Sequence, residues 1–202
     1  MDYLGESLTP EPDNDTLPLI EEESSSGVMR FIVDIIETLL LSAILFFAIN
    51  AVTARVRVDG YSMVPTFNSG EFIIVSKLSY TVGEPSRGDI LVFHQPRDPS
   101  QDYIKRIIGL PGETVRIMEG QVLIDGQALD EPYINDIPRY AGSWAVPENA
   151  LFVLGDNRNN SSDSHSWGPL SIDNVIGKAI FIYWPFSELG KITHPEVALA
   201  AP

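Results

Sequence analysis

The sequence of 202 residues contains no cysteine. This absence excludes disulfide frameworks, zinc sites with thiolate ligands and cysteine nucleophiles, so any nucleophile must be an oxygen or an amine. Histidine is nearly as scarce, with only His94, His165 and His194 present. The three belong to no His-Glu-x-x-His motif and to no spaced set of histidines and carboxylates. We therefore expect neither a metal ion nor a cofactor.

Basic residues are also few, because 13 lysines and arginines stand against 28 aspartates and glutamates. The formal net charge of -15 argues against nucleic acid as a partner, since phosphate binding requires a basic surface. Eight of the acidic residues lie in residues 1–27, which contain no lysine or arginine and few large apolar groups. Such a composition buries too little surface to offset chain entropy, so residues 1–27 are predicted to be a disordered acidic tail.

Residues 28–53 form a long apolar run and predict a transmembrane anchor. About 20 apolar residues span a bilayer, and this run supplies them when the span starts near Phe31. Asp34 and Glu37 fit best at the inner interface, because ionised carboxylates are costly within the hydrocarbon. A cleaved signal peptide and a buried core helix are the alternatives, although the preceding segment lacks the basic region of a signal peptide.

Residues 54–202 alternate short β-type runs with turn residues. The candidate strands are residues 72–75, 90–93, 103–108, 114–118, 121–124, 151–154 and 176–184. Strong turn signals at Glu119-Gly120 and Asp125-Gly126 bracket one short strand. The predicted fold class is mainly β: one antiparallel β barrel or sandwich domain, preceded by a single N-terminal transmembrane helix.

Lys105 lies in the strand predicted over residues 103–108. Period-two alternation places it between Tyr103 and Ile107 on one face of that strand. Burial between an aromatic and an aliphatic neighbour disfavours the ammonium and lowers the pKa, which makes a lysine usable as a general base. A lysine whose stem packs while its head reaches water is the alternative.

Ser62 stands between the turn-forming residues Gly60 and Pro65, about ten residues beyond the apolar run. A serine hydroxyl is a weak nucleophile unless a base takes its proton. A Ser-His-Asp triad is poorly supported, because the sequence has three histidines and no Gly-x-Ser-x-Gly motif. A serine with a lysine as base is a known variant of the same chemistry. A further polar stretch, residues 155–169, predicts a loop after an apolar strand.

Four segments, taken in order, resemble the type I signal peptidases, the membrane-anchored endopeptidases that remove signal peptides from exported proteins. The segments are residues 60–66 (GYSMVPT), 87–93 (RGDILVF), 103–113 (YIKRIIGLPGE) and 155–164 (GDNRNNSSDS). The third matches the family's lysine segment almost letter for letter. Four segments in the correct order are far more specific than a single Ser-x-x-Pro match.

The resemblance implies roles for individual residues. Ser62 would attack the scissile carbonyl, while a neutral Lys105 acts as general base and then as acid toward the leaving amine. Ser161 falls where the family has a serine that hydrogen-bonds and orients the lysine. Asp156 matches a residue that pairs with the arginine after the lysine, here Arg106, and both have a supporting role.

Two positions depart from the family pattern. His165 stands where the family usually has an arginine, paired to the aspartate that Asp163 matches. Gly60 stands where some members place a serine hydroxyl in the oxyanion hole. The hole must then rely on the Ser62 backbone N–H together with a donor that the sequence does not identify.

The family also implies how a substrate is selected. Signal-peptide cleavage sites carry small residues in an Ala-x-Ala-like pattern, and the substrate is expected to bind as an extended strand. By resemblance, four residues wall the small pockets: Val58, Met63, Tyr103 and Ile104. An ordinary place in the core is the alternative for each of them.

By the same resemblance the protein is a single-pass protein of the plasma membrane, with a cytoplasmic tail and the catalytic domain on the extracytoplasmic side. Its partners are then preprotein signal peptides and the lipid bilayer. Charge does not favour this orientation, because Arg30 precedes the apolar run whereas Arg55 and Arg57 follow it. Phe67 and Trp184 are candidates for contact with the membrane interface, with a core position favoured for Trp184.

Two other functions fit parts of the sequence. A self-cleaving peptidase of the repressor type shares the Ser-Lys chemistry, but the apolar run and the lysine segment count against it. A membrane-tethered β domain that only binds partners would have no need to keep both Ser62 and Lys105.

Overall fold

The computed structural model describes residues 23–194. The chain divides into two compact units, Met1–Phe46 and Phe47–Pro202. The acidic tail predicted over residues 1–27 lies mostly outside the described residues. Within the described part, residues from Glu23 onward are already helical.

Helix α1 covers Glu23–Val52, so it starts five residues before the predicted anchor and ends one residue before the predicted end. Gly27–Val52 is long and apolar enough to cross a membrane, and its 26 residues at about 1.5 Å each exceed the roughly 30 Å of a hydrocarbon core. The hydroxyls of Thr38 and Ser42 donate to carbonyls four residues earlier, which satisfies these polar groups within the helix. Large exposed apolar side chains follow one another from Val28 to Ile49, as a membrane span requires, and Asp34 and Glu37 are the acidic residues among them.

The rest of the described chain is mainly β, which confirms the predicted fold class. Two further short helices, α2 (Ser79–Val82) and α3 (Ser164–Trp167), and two 3₁₀ turns, Ile172–Asn174 and Phe186–Glu188, connect the strands. The strands are β1 (Thr53–Arg57), β2 (Phe72–Ser76), β3 (Ile90–Gln95), β4 (Asp98–Gly109), β5 (Thr114–Met118), β6 (Gln121–Ile124), β7 (Gln127–Ala128), β8 (Gly142–Ala145), β9 (Ala150–Leu154), β10 (Leu170–Ser171), β11 (Val175–Trp184) and β12 (Gly190–Lys191).

These strands form two antiparallel sheets. The larger has the order β1-β2-β11-β3-β4-β9-β10, with β12 beside β11, and the smaller has the order β7-β6-β5-β8. The predicted turns are confirmed, because Glu119-Gly120 and Asp125-Gly126 all have positive φ at the ends of β6. Asp125 and the two glycines tolerate this left-handed backbone, which matches the twist of paired strands, and Glu119 adopts it next to Gly120.

Strand β4 lies inside the larger sheet, between β3 and β9. Its last six residues, 104–109, are all buried because both edges are paired and both faces are covered. Polar side chains on this part of β4 are therefore removed from water and must find partners inside the protein. Lys105 and Arg106 are the two charged residues in this position.

The two aromatic residues considered for the membrane interface have the opposite environments to those expected. Phe67 is only 1% exposed and packs in the core with Val58 and Met63, so the interface contact proposed for it is wrong. Trp184 is 47% exposed at the end of β11, where the sequence favoured a core position. Apolar character alone did not distinguish a turn packed into the core from a strand end.

Candidate active site

Ser62 lies in the turn that joins β1 to β2. Gly60 precedes it with a φ of 94°, a conformation that favours glycine. Buried Met63 and Phe67 anchor the turn from below, and Phe67 N donates to Met63 O at 2.9 Å. From the loop after β9, Asn157 N donates to Ser62 O at 3.0 Å. This turn, called the nucleophile turn after its candidate nucleophile Ser62, is thereby held on one side by the core and on the other by the polar loop.

Lys105 projects from β4 toward this turn. Its Nζ lies 2.8 Å from Ser62 Oγ and 2.8 Å from Ile104 O, and the residue is 3% exposed. The Tyr103 ring lies 5.2 Å from Nζ, as expected for neighbours on one face of a strand. The hydroxyl and the amine are in hydrogen-bond contact, which is the geometry that proton transfer between them requires.

Burial lowers the pKa of Lys105 from 10.5 to about 8, and the Asp163 and Asp156 carboxylates oppose this change. Desolvation dominates because the amine has lost water on nearly all sides, whereas an ammonium depends strongly on solvation. At pH 7 the neutral amine is therefore a much larger fraction of Lys105 than of a free lysine. This is the condition under which a lysine can accept a proton.

Arg106 and Asp156 form a buried ion pair next to the site. Arg106 Nε donates to Asp156 Oδ1 at 2.8 Å and Nη2 donates to Oδ2 at 2.6 Å, while both side chains are almost fully buried. Thr66, from the nucleophile turn, donates to Asp156 Oδ2 at 2.5 Å. The pair therefore ties β4, the loop after β9 and the nucleophile turn together, as the predicted partnership requires.

Asp163 is fully buried and holds the polar loop. Its Oδ2 accepts from Gly155 N at 2.9 Å, and its Oδ1 lies 2.6 Å from His165 Nδ1. Gly155 is closely packed, because a Cβ there would lie 2.4 Å from Ser62 O. His165 thus contacts the carboxylate that the sequence assigned to it, and Asp163 fixes the strand end that faces the nucleophile turn.

Ser161 lies near the site but does not make the contact that the sequence predicts. Its buried Oγ makes no hydrogen bond, whereas Lys105 Nζ bonds to Ser62 Oγ and Ile104 O. The side chain instead occupies the space beside Gly155, where a Cβ would lie 2.3 Å from Ser161 Oγ. The expected bond from Ser161 to the lysine is therefore absent in this structure.

An open cleft of about 530 Å³ leads to the Ser62 hydroxyl. Its lining comes from two segments, residues 56–62 and 101–105, together with Asn160 and Ser162. Val58, Tyr103 and Ile104 line it as predicted from the resemblance. Met63 does not line the cleft; it is 1% exposed and packs in the same core cluster as Val58, so its assignment to a pocket wall is corrected.

Sequence reasoning missed two residues that support the site. Thr66 bridges to the Asp156 carboxylate, and Asn157 donates from its side chain to Tyr61 O at 3.0 Å as well as from its backbone. Both lie inside segments that resemble the family, so these segments were the signal from which the two residues could have been found. Within residues 23–194, no group of three or more His, Asp or Glu side chains could hold a metal ion.

A serine hydroxyl in contact with a buried amine, at an open cleft on a β scaffold, is the arrangement that a serine endopeptidase with a lysine base requires. The family described as signal peptidase, peptidase S26, matches residues 30–184. The chain belongs to this family as a type I signal peptidase.

Individual relatives agree with the family. Signal peptidase I of Leptolyngbya laminosa is 45% identical over 79% of this chain and 83% of its own length. The probable signal peptidase I-1 of a Synechocystis species is 41% identical over 81% of this chain and 88% of its own length. A crystal structure of a signal peptidase I from Enterococcus faecalis has 35% identity and a TM-score of 0.45, covering 48% of this chain and 97% of that one.

Proposed function

We propose that this signal peptidase cleaves exported preproteins at Ala-x-Ala-like sites with Ser62 as nucleophile and Lys105 as general base. The observation that carries the proposal is the 2.8 Å contact between Ser62 Oγ and a Lys105 amine whose pKa burial lowers to about 8. A removed signal peptide is the product that the chain's relatives imply by name.

The proposed reaction has two stages. Neutral Lys105 takes the proton from Ser62 Oγ as the oxygen attacks the scissile carbonyl carbon, and the Ser62 backbone N–H stabilises the oxyanion. The resulting ammonium returns the proton to the leaving amine, which departs as the new N-terminus of the mature protein. Water, with Lys105 again as base, then releases the signal peptide from the serine ester.

The cleft supports a preference for small residues before the cleaved bond. Val58 and Ile104 are buried side chains that line it next to Ser62, so large substrate side chains would have to displace core packing. Tyr103 lines the same cleft. Alanine side chains fit such shallow recesses at little cost.

Cleavage should be tested on the purified full chain in detergent, with a preprotein carrying one Ala-x-Ala site. We expect a single new N-terminus directly after the second alanine, identified by N-terminal sequencing. Replacing that alanine with phenylalanine in the substrate should reduce cleavage at least about 100-fold, because the larger side chain clashes with the cleft wall. Equal cleavage of both substrates, or cleavage elsewhere, would refute the proposed specificity.

The pH dependence of the rate should report the ionisation of Lys105. Because the pKa of Lys105 in the free enzyme is lowered to about 8 and only the neutral amine accepts a proton, kcat/KM should rise with pH through a limb centred near 8 and then level off. Tyr103→Ser should move the limb to higher pH, since water near Nζ stabilises the ammonium. A limb above pH 10 in the wild-type protein would contradict the assignment of Lys105 as base.

We also propose that α1 anchors the protein in the plasma membrane, with the catalytic domain on the extracytoplasmic side. The length and apolar surface of α1 support the anchor. Within the catalytic domain, Trp184, Phe186 and Leu189 form an exposed apolar cluster. Phe72 pairs with both Arg57 and Trp184, so this cluster lies at the end of the sheet where β1 leads into the nucleophile turn. Exposed aromatic residues are typical of membrane interfaces.

The absence of cysteine allows a direct test of this topology, because one introduced thiol is the sole target of a thiol reagent. Val82→Cys, at a position 84% exposed, should react with a membrane-impermeant reagent in intact cells. Thr16→Cys, in the acidic tail, should react only after the cells are broken. Labelling of Thr16→Cys but not of Val82→Cys in intact cells would show that the orientation is the opposite of the proposed one.

A further inference from the structure

Tyr140 precedes β8 and packs its ring face to face on His165. The ring centroids are 3.9 Å apart and the planes are inclined by 17°. The Tyr140 hydroxyl is buried and makes no hydrogen bond. The polar group that this side chain contacts is the His165 imidazole, through the face of the ring. A leucine would fill similar space in the core, but it would not provide a flat surface for an imidazole.

The stacked imidazole leads directly to the polar loop of the active site. His165 Nδ1 lies 2.6 Å from Asp163 Oδ1, and the other Asp163 oxygen holds Gly155 N at 2.9 Å. Gly155 in turn packs against Ser62 O. A continuous series of contacts therefore connects Tyr140, next to the smaller sheet, with the turn that carries the nucleophile.

The charges around Lys105 link this series of contacts to the ionisation of the lysine. Two carboxylates act on Lys105, and Asp163 has the larger effect of the two. The Asp156 charge is matched by the two hydrogen bonds from Arg106, which keeps its guanidinium charged at all relevant pH values. The side-chain partner of Asp163 is an imidazole instead, so its influence on Lys105 depends on where that ring is held.

We propose that Tyr140 is a positioning residue for catalysis: by stacking on His165 it holds the imidazole against Asp163 and thereby sets how strongly that carboxylate acts on Lys105. The inference rests on the proposed role of Lys105 as general base. It concerns a residue in a part of the sequence that none of the four signal peptidase segments covers.

The expected direction follows from solvation and charge together. Without the ring, the imidazole of His165 is free to leave Asp163, and water reaches the loop. A less well paired carboxylate and a better solvated amine both favour the ammonium, so the pKa of Lys105 rises. The other charged groups that act on Tyr140 are Arg158 and Glu131, which pair with each other through two hydrogen bonds of 2.7 and 2.6 Å and so contribute little net charge.

The test is the pH–rate profile of Tyr140→Leu in the full chain. We expect the limb in kcat/KM to move to higher pH by about half a unit or more, with a smaller loss of rate on the alkaline plateau than at pH 7. Tyr140→Phe keeps the stacking ring and should keep the wild-type limb. A uniform loss of rate at every pH, with the limb unmoved, would mean that Tyr140 only supports the fold and would overturn the proposal.

A double variant tests whether Tyr140 acts on Lys105 through His165. His165→Ala should move the limb in the same direction, and adding Tyr140→Leu to it should cause no further displacement, because both changes break one series of contacts. Independent, additive displacements would overturn the proposed route. Should Tyr140→Leu fail to fold, His165→Ala carries the test alone, since that side chain is partly exposed, and an unmoved limb would be decisive against the proposal.

Two controls separate this inference from other failures. Trp144 lies in β8, close to Tyr140 in sequence, and its ring packs on Phe152 with centroids 5.1 Å apart. Trp144→Leu should therefore lower the stability of the protein without moving the limb of the pH–rate profile. Ser62→Ala tests the catalytic proposal itself. An active Ser62→Ala would overturn the proposed function, whereas an inactive Ser62→Ala with an unmoved limb in Tyr140→Leu would overturn only the role of Tyr140.

Discussion

Ser62→Ala and Lys105→Met should each reduce kcat/KM for preprotein cleavage by about 10⁴-fold or more while the protein stays folded. Alanine removes the nucleophilic oxygen, and methionine fills the buried space of the lysine stem without the amine that accepts the proton. The two groups lie 2.8 Å apart, and in the proposed mechanism they act in the same proton transfer. The double variant should therefore be no less active than either single variant.

The measurement is the rate of appearance of the mature N-terminus, with unfolding monitored in parallel. Ser143→Ala on β8 and Lys191→Met on β12 are matched controls, because they make the same chemical changes at exposed positions away from the cleft. Both should cleave at the wild-type rate. Substantial turnover by folded Ser62→Ala, or multiplicative losses in the double variant, would contradict a mechanism in which the two residues act as one unit.

Arg106→Met should lower the free energy of unfolding by about 3–5 kcal/mol, because it leaves the Asp156 carboxylate buried without its cation. Thr66 would remain as a donor to Asp156, but a single hydroxyl does not compensate a buried charge. Since this carboxylate joins the nucleophile turn to the loop after β9, activity should fall together with stability. Denaturant unfolding of the full chain in detergent, followed by tryptophan fluorescence, measures the change.

The double variant Arg106→Met with Asp156→Leu provides the sharper test of this ion pair. Replacing both partners with apolar groups removes the desolvation cost together with the attraction, so it should recover much of the stability lost in Arg106→Met. Arg57→Met is the matched control, because Arg57 pairs with Asp59 at the exposed surface and its loss should cost much less. A double variant less stable than both single variants would show that the pair is not the source of the effect.

The polar loop after β9 shows where reasoning from sequence reached its limit. The resemblance placed Asp156 with Arg106 and Asp163 with His165, and the structure has both pairs in contact. It also placed Ser161 on Lys105, a contact that the structure does not have. Segment matches fix which residues are near the site, but the direction of a short side chain depends on packing, here against Gly155.

Local patterns determined other features without any tertiary information. The apolar run gave a membrane-length helix, and dipeptides that tolerate positive φ gave the turns at both ends of β6. The spacing of short β-type runs gave a mainly β domain. Each of these is set by interactions between residues close in sequence, which is why composition and periodicity were sufficient.

The chemical properties of the site were decided by the tertiary structure. Ser62 and Lys105 are 43 residues apart in sequence, and only the packing of β4 between β3 and β9 removes the amine from water and lowers its pKa to about 8. The same packing buried Met63 and Phe67 and exposed Trp184. Sequence alone indicated which groups in this protein are the candidate reactive ones. Their ionisation and accessibility came from tertiary structure, because desolvation depends on every neighbouring segment and not on the residue itself.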